Sequence, residues 1–282
     1  MRTITTVREM QQIAAQLLRE GKTIGFVPTM GYLHEGHLSL LKAARKENDV
    51  TVLSIFVNPL QFGPKEDLAT YPRDFERDSQ LAEQEGNDFI FYPSAEEMYP
   101  DSPSVTAKVH DRTDVLCGRS RPGHFDGVAT VLTKLFNIVQ PNKVYFGMKD
   151  AQQVAVVEGL VRDFNIPAEI VPVETVREQD GLAKSSRNVN LLPAEREQAA
   201  ALHQSLKIAE SAIAEGEKDS QKVIAKIREH IENNTSGAID YIEILSYPDL
   251  KGVNVLQGKV IIAIAVKFTK ARLIDNAIIT IN

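Results

Sequence analysis

The chain has little of several features that mark other classes of protein. Its 282 residues include a single cysteine, Cys117, so no disulfide can form within the chain. A zinc site built from two or four of its cysteines is equally excluded. A chain without disulfides suits a reducing compartment, and we expect a cytoplasmic protein. The longest unbroken apolar run, Val260 to Val266, has seven residues, whereas a membrane-spanning helix needs roughly 20, so we expect no membrane partner.

Basic residues are too few for a nucleic-acid-binding protein that depends on bulk charge. The chain has 32 Lys and Arg against 38 Asp and Glu, a net charge of -6 and a pI of about 5.6, so we expect no nucleic-acid partner. A local basic site remains compatible with this total, because net charge does not describe distribution. The 43% of hydrophobic residues is ordinary for a globular protein of one large or two smaller domains.

Short apolar runs alternate with helical patterns up to about residue 174. The β-branched run Val50 to Val57 and the helical pattern Phe125 to Val139 are examples. Such alternation indicates parallel strands joined by right-handed crossovers. We therefore predict that residues 1–174 form a doubly wound, Rossmann-like α/β domain with a parallel sheet. In such sheets ligands bind beyond the carboxyl ends of the strands.

The pattern changes in the last part of the chain. Helical patterns from Pro193 to about Gly216 and from about Ser220 to Glu232 precede apolar runs of strand type. Helices followed by strands predict a smaller α+β domain with an antiparallel sheet. We place this domain at residues 175–282.

The most informative segment, Pro28 to His37, opens a helix. It follows the strand pattern Thr23 to Val27, which we expect to end at Pro28. A helix N-terminus offers unpaired N–H groups and partial positive charge, which suit a phosphate. His34 and His37 are three residues apart, so both lie on the same side of the helix start. They can donate hydrogen bonds to phosphate oxygens, and Gly36 lets a phosphate approach the backbone. A metalloprotease zinc site is disfavoured because it needs His-Glu-x-x-His, with histidines four residues apart.

Two cationic clusters lie farther along the chain. Gly147-Met148-Lys149-Asp150 follows a strand pattern, where Lys149 suits a triphosphate and Asp150 suits a ribose hydroxyl or hydrated Mg²⁺. Lys184-Ser185-Ser186-Arg187 places two hydroxyls between two cations, which suits a phosphate clamp. Taken alone, each cluster also fits a solvated helix start or a polar linker.

Two glutamines complete the candidate site. The amide groups of Gln61 and Gln153 both donate and accept hydrogen bonds, so they suit the hydroxyl groups of a hydroxylated acid. The polar, proline-bounded stretch 64–72 follows Gln61 and is a candidate lid.

Together these segments resemble the pantoate–β-alanine ligase (pantothenate synthetase) family. This family belongs to the HIGH-motif nucleotidyltransferase superfamily, which is related to class I aminoacyl-tRNA synthetases. The resemblance depends on ordered blocks that span the first domain and the junction. These are Pro28–Gly31 with His34–His37, Asn58–Phe62, Tyr71–Arg73, Gly123–Val128, Gly147–Gln153 and Ser185–Asn188.

The resemblance implies a reaction in two steps. The pantoate carboxylate attacks the α-phosphate of Mg·ATP, which gives pantoyl adenylate and diphosphate. The amine of β-alanine then attacks the acyl carbon and releases pantothenate and AMP. The resemblance also implies a homodimer and a C-terminal domain that closes over the active site.

The resemblance further implies roles for individual residues. The catalytic residues would be His37, His34, Lys149 and Arg187. The ATP site would comprise Met30, Gly31, Tyr32, Leu33, His34, Glu35, Gly36, His37, Gly147, Met148, Lys149, Asp150, Val176, Lys184, Ser185, Ser186 and Arg187. Gln61 would bind pantoate and β-alanine, and Gln153 would bind pantoate. Lys184, Met148 and Ala151 depart from the residues familiar at these positions in the family.

Two other functions remain compatible with the same residues. A nucleotidylyltransferase that acts on a phosphorylated acceptor would use the same histidines, although Gln61 and Gln153 would be unusual ligands for a phosphate. A non-catalytic regulator would bind ATP without turnover. A tRNA-charging enzyme is disfavoured by the acidic pI and by the lack of an evident tRNA-binding module.

Overall fold

The helices and strands of this computed structural model follow the hydrophobic pattern closely. The structure describes residues 1–63, 66 and 68–281. Three residues of the candidate lid, Pro64, Lys65 and Asp67, lie outside the described residues, so the lid stays a prediction. Across the described ranges, no helix combines the length and apolar character needed to cross a membrane.

The elements have the following bounds. The strands are β1 (Arg2–Ile4), β2 (Ile24–Thr29), β3 (Val50–Ile55), β4 (Phe89–Phe91), β5 (Lys143–Gly147), β6 (Glu169–Val173), β7 (Ala238–Ser246), β8 (Gly258–Lys267) and β9 (Arg272–Ile281). The α-helices are α1 (Val7–Arg19), α2 (Glu35–Glu47), α3 (Phe75–Gln84), α4 (Ala95–Met98), α5 (Leu116–Ser120), α6 (His124–Val139), α7 (Ala151–Asp163), α8 (Pro193–Gln198), α9 (Ala200–Ala214) and α10 (Ser220–Asn234). Short 3-10 helices cover Pro59–Gln61, Met148–Asp150 and Ser186–Asn190.

The first compact unit, Met1–Met148 with Val156–Glu174, contains a six-stranded sheet of order β1-β4-β3-β2-β5-β6. Every neighbouring pair of strands in it is parallel. This confirms the predicted doubly wound α/β architecture. The connections reverse direction between β2 and β5, so the carboxyl ends of these two strands flank the usual ligand position of such a sheet.

The central strands are apolar because helices cover both faces of a parallel sheet. Val27 of β2, Leu53 of β3 and Tyr145 of β5 are buried in one cluster with Leu41 and Ala44 of α2. The apolar side of α2 thus packs on the sheet through the helical spacing seen in the sequence. This packing fixes the start of α2 next to the end of β2.

Two boundaries differ from the sequence prediction. β2 continues past Pro28 to Thr29, because pairing with β5 stops at Phe26 and the missing N–H of Pro28 interrupts no ladder on that side. The helix expected from Pro193 to about Gly216 is interrupted at Ala199, where α8 gives way to α9. Ala199 keeps helical dihedral angles (φ -61°, ψ -24°), so the interruption is local.

The second compact unit, Lys149–Ala155 with Thr175–Asn282, contains the antiparallel sheet β7-β8-β9. This confirms the predicted antiparallel α+β architecture. Alternate residues of β8, from Val260 to Val266, form a buried cluster with apolar side chains of α9 and α10. The longest apolar run of the sequence is therefore the central strand of a sheet.

A buried ion pair joins two segments of the second unit. Arg177 donates from Nη1 to Asp275 Oδ2 at 2.6 Å and from Nη2 to Asp275 Oδ1 at 2.9 Å. Arg177 also donates to the carbonyl oxygen of Gly181 at 3.0 Å and forms an isolated β-bridge with Ala183. The hairpin that begins at Arg177 is therefore attached to β9 by a bidentate charged contact.

We expect the Asp275→Ala substitution to lower the free energy of unfolding by about 3 kcal/mol, because a mostly buried guanidinium loses its counter-ion. Asp275 is 3% exposed and Arg177 is 23% exposed by side chain. The matched control is Glu210→Ala, which removes the exposed contact with Lys207 and should cost less than about 1 kcal/mol. Chemical denaturation measures both variants, and equal losses would contradict the importance of the buried pair.

Candidate active site

The two histidines cap the helix that follows β2. His34 is the N-cap of α2, and its Nδ1 accepts a hydrogen bond from Gly36 N at 3.1 Å. His37 Nδ1 accepts from His34 N at 3.2 Å, and the two rings lie 4.1 Å apart between centroids. Because a backbone N–H can only donate, both Nδ1 atoms use their lone pairs. A neutral ring in this arrangement carries its hydrogen on Nε2.

The turn before these histidines has an unusual backbone. Gly31 (φ 84°) and Tyr32 (φ 52°) both adopt the left-handed region, which is rare for a residue with a side chain. A carboxylate from α3 holds this turn: Asp78 accepts from Tyr32 N and from Leu33 N, each at 2.7 Å. Arg77 donates to the carbonyl oxygen of Leu33 at 2.8 Å. The conformation of the segment therefore depends on α3.

Asp78 is a functional candidate that no sequence motif indicates. It is 1% exposed, and burial raises the pKa of its carboxyl, although the hydrogen bonds from Leu33 and Tyr32 oppose that rise. Its position in a polar helical pattern gives no signal for this role. Only the folded chain brings Asp78 to a turn 45 residues earlier.

Gln61 lies at the end of the 3-10 helix that follows β3. Its side-chain Oε1 accepts from Asn58 Nδ2 at 3.1 Å, and its Nε2 contacts the sulfur of Met30 at 3.1 Å. The structure therefore brings together two of the predicted site residues, Gln61 and Met30. They come from segments that follow adjacent strands, β3 and β2.

The backbone of Gln61 is held by the start of α6. His124 Nδ1 lies 2.8 Å from the carbonyl oxygen of Gln61, and Arg121 Nη1 lies 3.0 Å from His124 Nε2. A carbonyl only accepts and a guanidinium only donates, so these contacts fit a ring that carries its hydrogen on Nδ1. Arg121 also forms a bidentate contact with Glu66 at 2.8 and 2.7 Å.

The predicted site residues belong to both compact units. The first unit contains Met30, Gly31, Tyr32, Leu33, His34, Glu35, Gly36, His37, Gln61, Gly147 and Met148. The second unit contains Lys149, Asp150, Gln153, Val176, Lys184, Ser185, Ser186 and Arg187.

Backbone contacts organise the predicted phosphate clamp within the second unit. Lys184 N donates to the carbonyl oxygen of Val176 at 2.9 Å, so these two predicted ATP-site residues are adjacent. Ser185 caps the following 3-10 helix, and its hydroxyl accepts from Arg187 N at 3.2 Å. The four-residue cluster therefore forms a hydrogen-bonded turn and not an extended linker.

The predicted Lys149 segment depends on β9. Asn276 Nδ2 donates to the carbonyl oxygen of Lys149 at 2.9 Å, and Lys149 Nζ lies 3.8 Å from Asp150 Oδ2. Asn276 directly follows Asp275, which holds Arg177 and its hairpin. Adjacent residues of one strand thus position both cationic segments of the second unit. Gln153 is half-buried in the first turn of α7.

No group of three or more His, Cys, Asp or Glu side chains is arranged to hold a metal ion in the described part of the chain.

A parallel sheet with a capped helix start near its switch point is typical of doubly wound α/β proteins, which bind their ligands at this edge of the sheet. A family model described as "Pantoate-beta-alanine ligase" matches residues 2–278. The pantothenate synthetase of Geobacillus thermodenitrificans is 63% identical over 276 residues, which cover 98% of this chain and 96% of that protein. That of Bacillus cereus ATCC 10987 is 59% identical over the full length of both chains.

Solved structures with the same description also align with this chain over nearly its full length. The crystal structure of pantothenate synthetase from Thermus thermophilus aligns with a TM-score of 0.93 at 45% identity, covering 98% of this chain and 99% of that one. The Francisella tularensis pantoate-beta-alanine ligase, complexed with beta-gamma ATP and beta-alanine, aligns with a TM-score of 0.80 at 35% identity, covering 98% and 97%. The chain belongs to the pantoate-beta-alanine ligase family, which confirms the resemblance seen in the sequence.

We expect the Asp78→Ala substitution to weaken ATP binding at least tenfold, because the turn that leads to His34 loses its anchor. Two backbone N–H groups of this turn would lose their acceptor, which should lower the free energy of unfolding by about 2 kcal/mol. Calorimetric titration with ATP and chemical denaturation measure the two effects. Glu76→Ala, at an exposed position of the same helix, is the matched control. Unchanged ATP affinity in the Asp78 variant would show that the turn keeps its shape without the carboxylate.

Proposed function

We propose that this chain joins D-pantoate to β-alanine, with ATP converted to AMP and diphosphate through a pantoyl-adenylate intermediate. The observation that carries the proposal is the family match over residues 2–278 together with the reciprocal capping of His34 and His37. The enzyme is thus a ligase that forms a C–N bond. Its place is in pantothenate synthesis.

The first step makes an acyl–phosphate bond and breaks the bond between the α- and β-phosphates. Negative charge grows on the phosphate oxygens as the carboxylate attacks. The Nε2–H groups of His34 and His37 would donate to these oxygens, and the start of α2 would add its partial positive charge. Lys149 and Arg187 would bind phosphate oxygens as cations.

The second step forms the amide bond. The amine of β-alanine attacks the acyl carbon, AMP leaves with the electron pair of the broken C–O bond, and the amine loses a proton. No protein nucleophile takes part in either step, so catalysis depends on position and charge. Gln61 and Gln153 would orient pantoate through hydrogen bonds, and Gln61 would also contact β-alanine.

Mg²⁺ belongs to this proposal as part of the Mg·ATP substrate. Phosphate oxygens would supply most of its ligands, because Mg²⁺ prefers hard oxygen donors and keeps several waters. Asp150, which is exposed, would contact the ion through water. A homodimer in the cytoplasm is also proposed, by resemblance to the family.

The reaction is tested by measuring AMP and diphosphate release from Mg·ATP and D-pantoate, with and without β-alanine. We expect sustained AMP release only when D-pantoate and β-alanine are both present. Without β-alanine, we expect about one diphosphate per active site. A nucleotidylyltransferase would instead need a phosphorylated acceptor and release no AMP. ATP binding with no turnover would indicate a regulator.

We expect the His37→Ala substitution to slow adenylate formation at least about 100-fold, because one preorganised donor to the phosphate is lost. A rapid-quench measurement of diphosphate release reports this step alone. His110→Ala, at an exposed position outside the site, is the matched control. Diphosphate release at the wild-type rate from the His37→Ala variant would show that His37 takes no part in adenylate formation.

A further inference from the structure

A chain of hydrogen bonds leads from the residue after α4 to the side-chain amide of Gln61, the candidate substrate ligand. Tyr99, which follows α4, donates from its hydroxyl to Asn58 Oδ1 at 3.0 Å. Asn58 Nδ2 in turn donates to Gln61 Oε1 at 3.1 Å. Asn58 is 1% exposed and Gln61 is 9% exposed, so both amides lie where each polar atom needs a partner.

Two backbone groups fix the orientation of the Asn58 amide. Leu60 N approaches Asn58 Oδ1 at 3.3 Å, and the carbonyl oxygen of Gly127 lies 3.1 Å from Asn58 Nδ2. A backbone N–H only donates and a carbonyl only accepts, so the oxygen and nitrogen of Asn58 cannot exchange places. Its two lone pairs and its two hydrogens then all have partners.

This orientation determines both ends of the chain. At one end, Tyr99 must donate its proton, and burial raises the pKa of its phenol to about 12, so the hydroxyl keeps that proton at physiological pH. At the other end, Gln61 must use Oε1 as an acceptor. Its Nε2 then contacts the sulfur of Met30 at 3.1 Å, and a thioether is a weak acceptor that a substrate oxygen can replace.

The geometry points to Tyr99 as a positioning residue that acts through Asn58, so that Gln61 presents amide N–H groups, and not its carbonyl, to an oxygen of the acid substrate. This inference rests on the proposed function, which makes Gln61 a pantoate ligand. A carboxylate or hydroxyl oxygen of the substrate would then accept the hydrogen bond.

Glycine at position 127 allows this arrangement. A Cβ at Gly127 would lie 2.3 Å from the carbonyl oxygen of Leu60, which is too close for any side chain. The start of α6 therefore packs directly on the 3-10 helix of Gln61. This close approach brings the carbonyl of Gly127 to Asn58.

The Tyr99→Phe substitution tests the inference because it removes one hydroxyl and keeps the ring that packs near Phe56. We expect the KM for pantoate to rise about threefold to tenfold, as for one lost neutral hydrogen bond. The KM for ATP and kcat should stay within about twofold, a split that general destabilisation would not produce. Tyr92→Phe removes the hydroxyl of a tyrosine whose ring stacks on Phe75, and it serves as the matched control.

We call the hydrogen-bond chain Tyr99–Asn58–Gln61 the relay. A double-mutant cycle tests whether Tyr99 affects pantoate binding through Asn58 or directly. In the Asn58→Ala background, Tyr99→Phe should change the KM for pantoate no further. An equal penalty in both backgrounds, or no penalty in either, would overturn the inference. The Gln61→Glu variant should lose pantoate binding, because a carboxylate has no N–H to present, and wild-type affinity in that variant would also overturn it.

A measurement without substrate keeps this inference separate from the proposed function. The side-chain amide signals of Asn58 and Gln61 in nitrogen-15 NMR spectra should both shift in Tyr99→Phe and stay unchanged in Tyr92→Phe. Unchanged signals in Tyr99→Phe would overturn the relay. If the wild-type protein releases no AMP with pantoate and β-alanine, the proposed function fails, and these spectra still decide whether the relay exists.

Discussion

The candidate site depends on one reciprocal hydrogen-bonding arrangement at the start of α2. Two backbone N–H groups that would otherwise lack partners at a helix start donate to the Nδ1 atoms of His34 and His37. The same contacts that begin the helix thereby select the ring nitrogen that carries hydrogen. The sheet places this helix start at its switch point, and the carboxylate of Asp78 holds the preceding turn. The two imidazole rings therefore both stabilise the helix start and belong to the candidate site.

In the second unit, two neighbouring residues of one strand hold two different segments. Asp275 and Asn276 are neighbours on β9, yet one holds the hairpin that begins at Arg177 and the other holds the carbonyl of Lys149. Neighbouring residues of a strand point to opposite faces of its sheet. A single strand can therefore fix two cationic segments that are distant in sequence. The antiparallel sheet is in this sense the support for the predicted phosphate-binding residues of that unit.

Much of this organisation was predictable from sequence because it is local or periodic. The alternation of strand and helix patterns predicted the parallel sheet, and the block around His34 and His37 predicted a helix start suited to phosphate. Asp78 and Tyr99 were not predictable, because their roles arise from contacts with turns 45 and 41 residues earlier in the chain. The extension of β2 through Pro28 was not predictable either, because it depends on where β5 stops pairing. The roles of Lys149, Arg187 and Gln153 remain predictions from resemblance.

The capping of α2 by imidazoles, and not by hydroxyls or carboxylates, links helix integrity to the charge state of the site. A ring that gains a proton on Nδ1 turns from an acceptor into a donor and faces a backbone N–H that also donates. The two capping contacts therefore hold only while each Nδ1 keeps its lone pair. A substitution that disturbs either histidine would consequently disturb the helix start and the candidate site together.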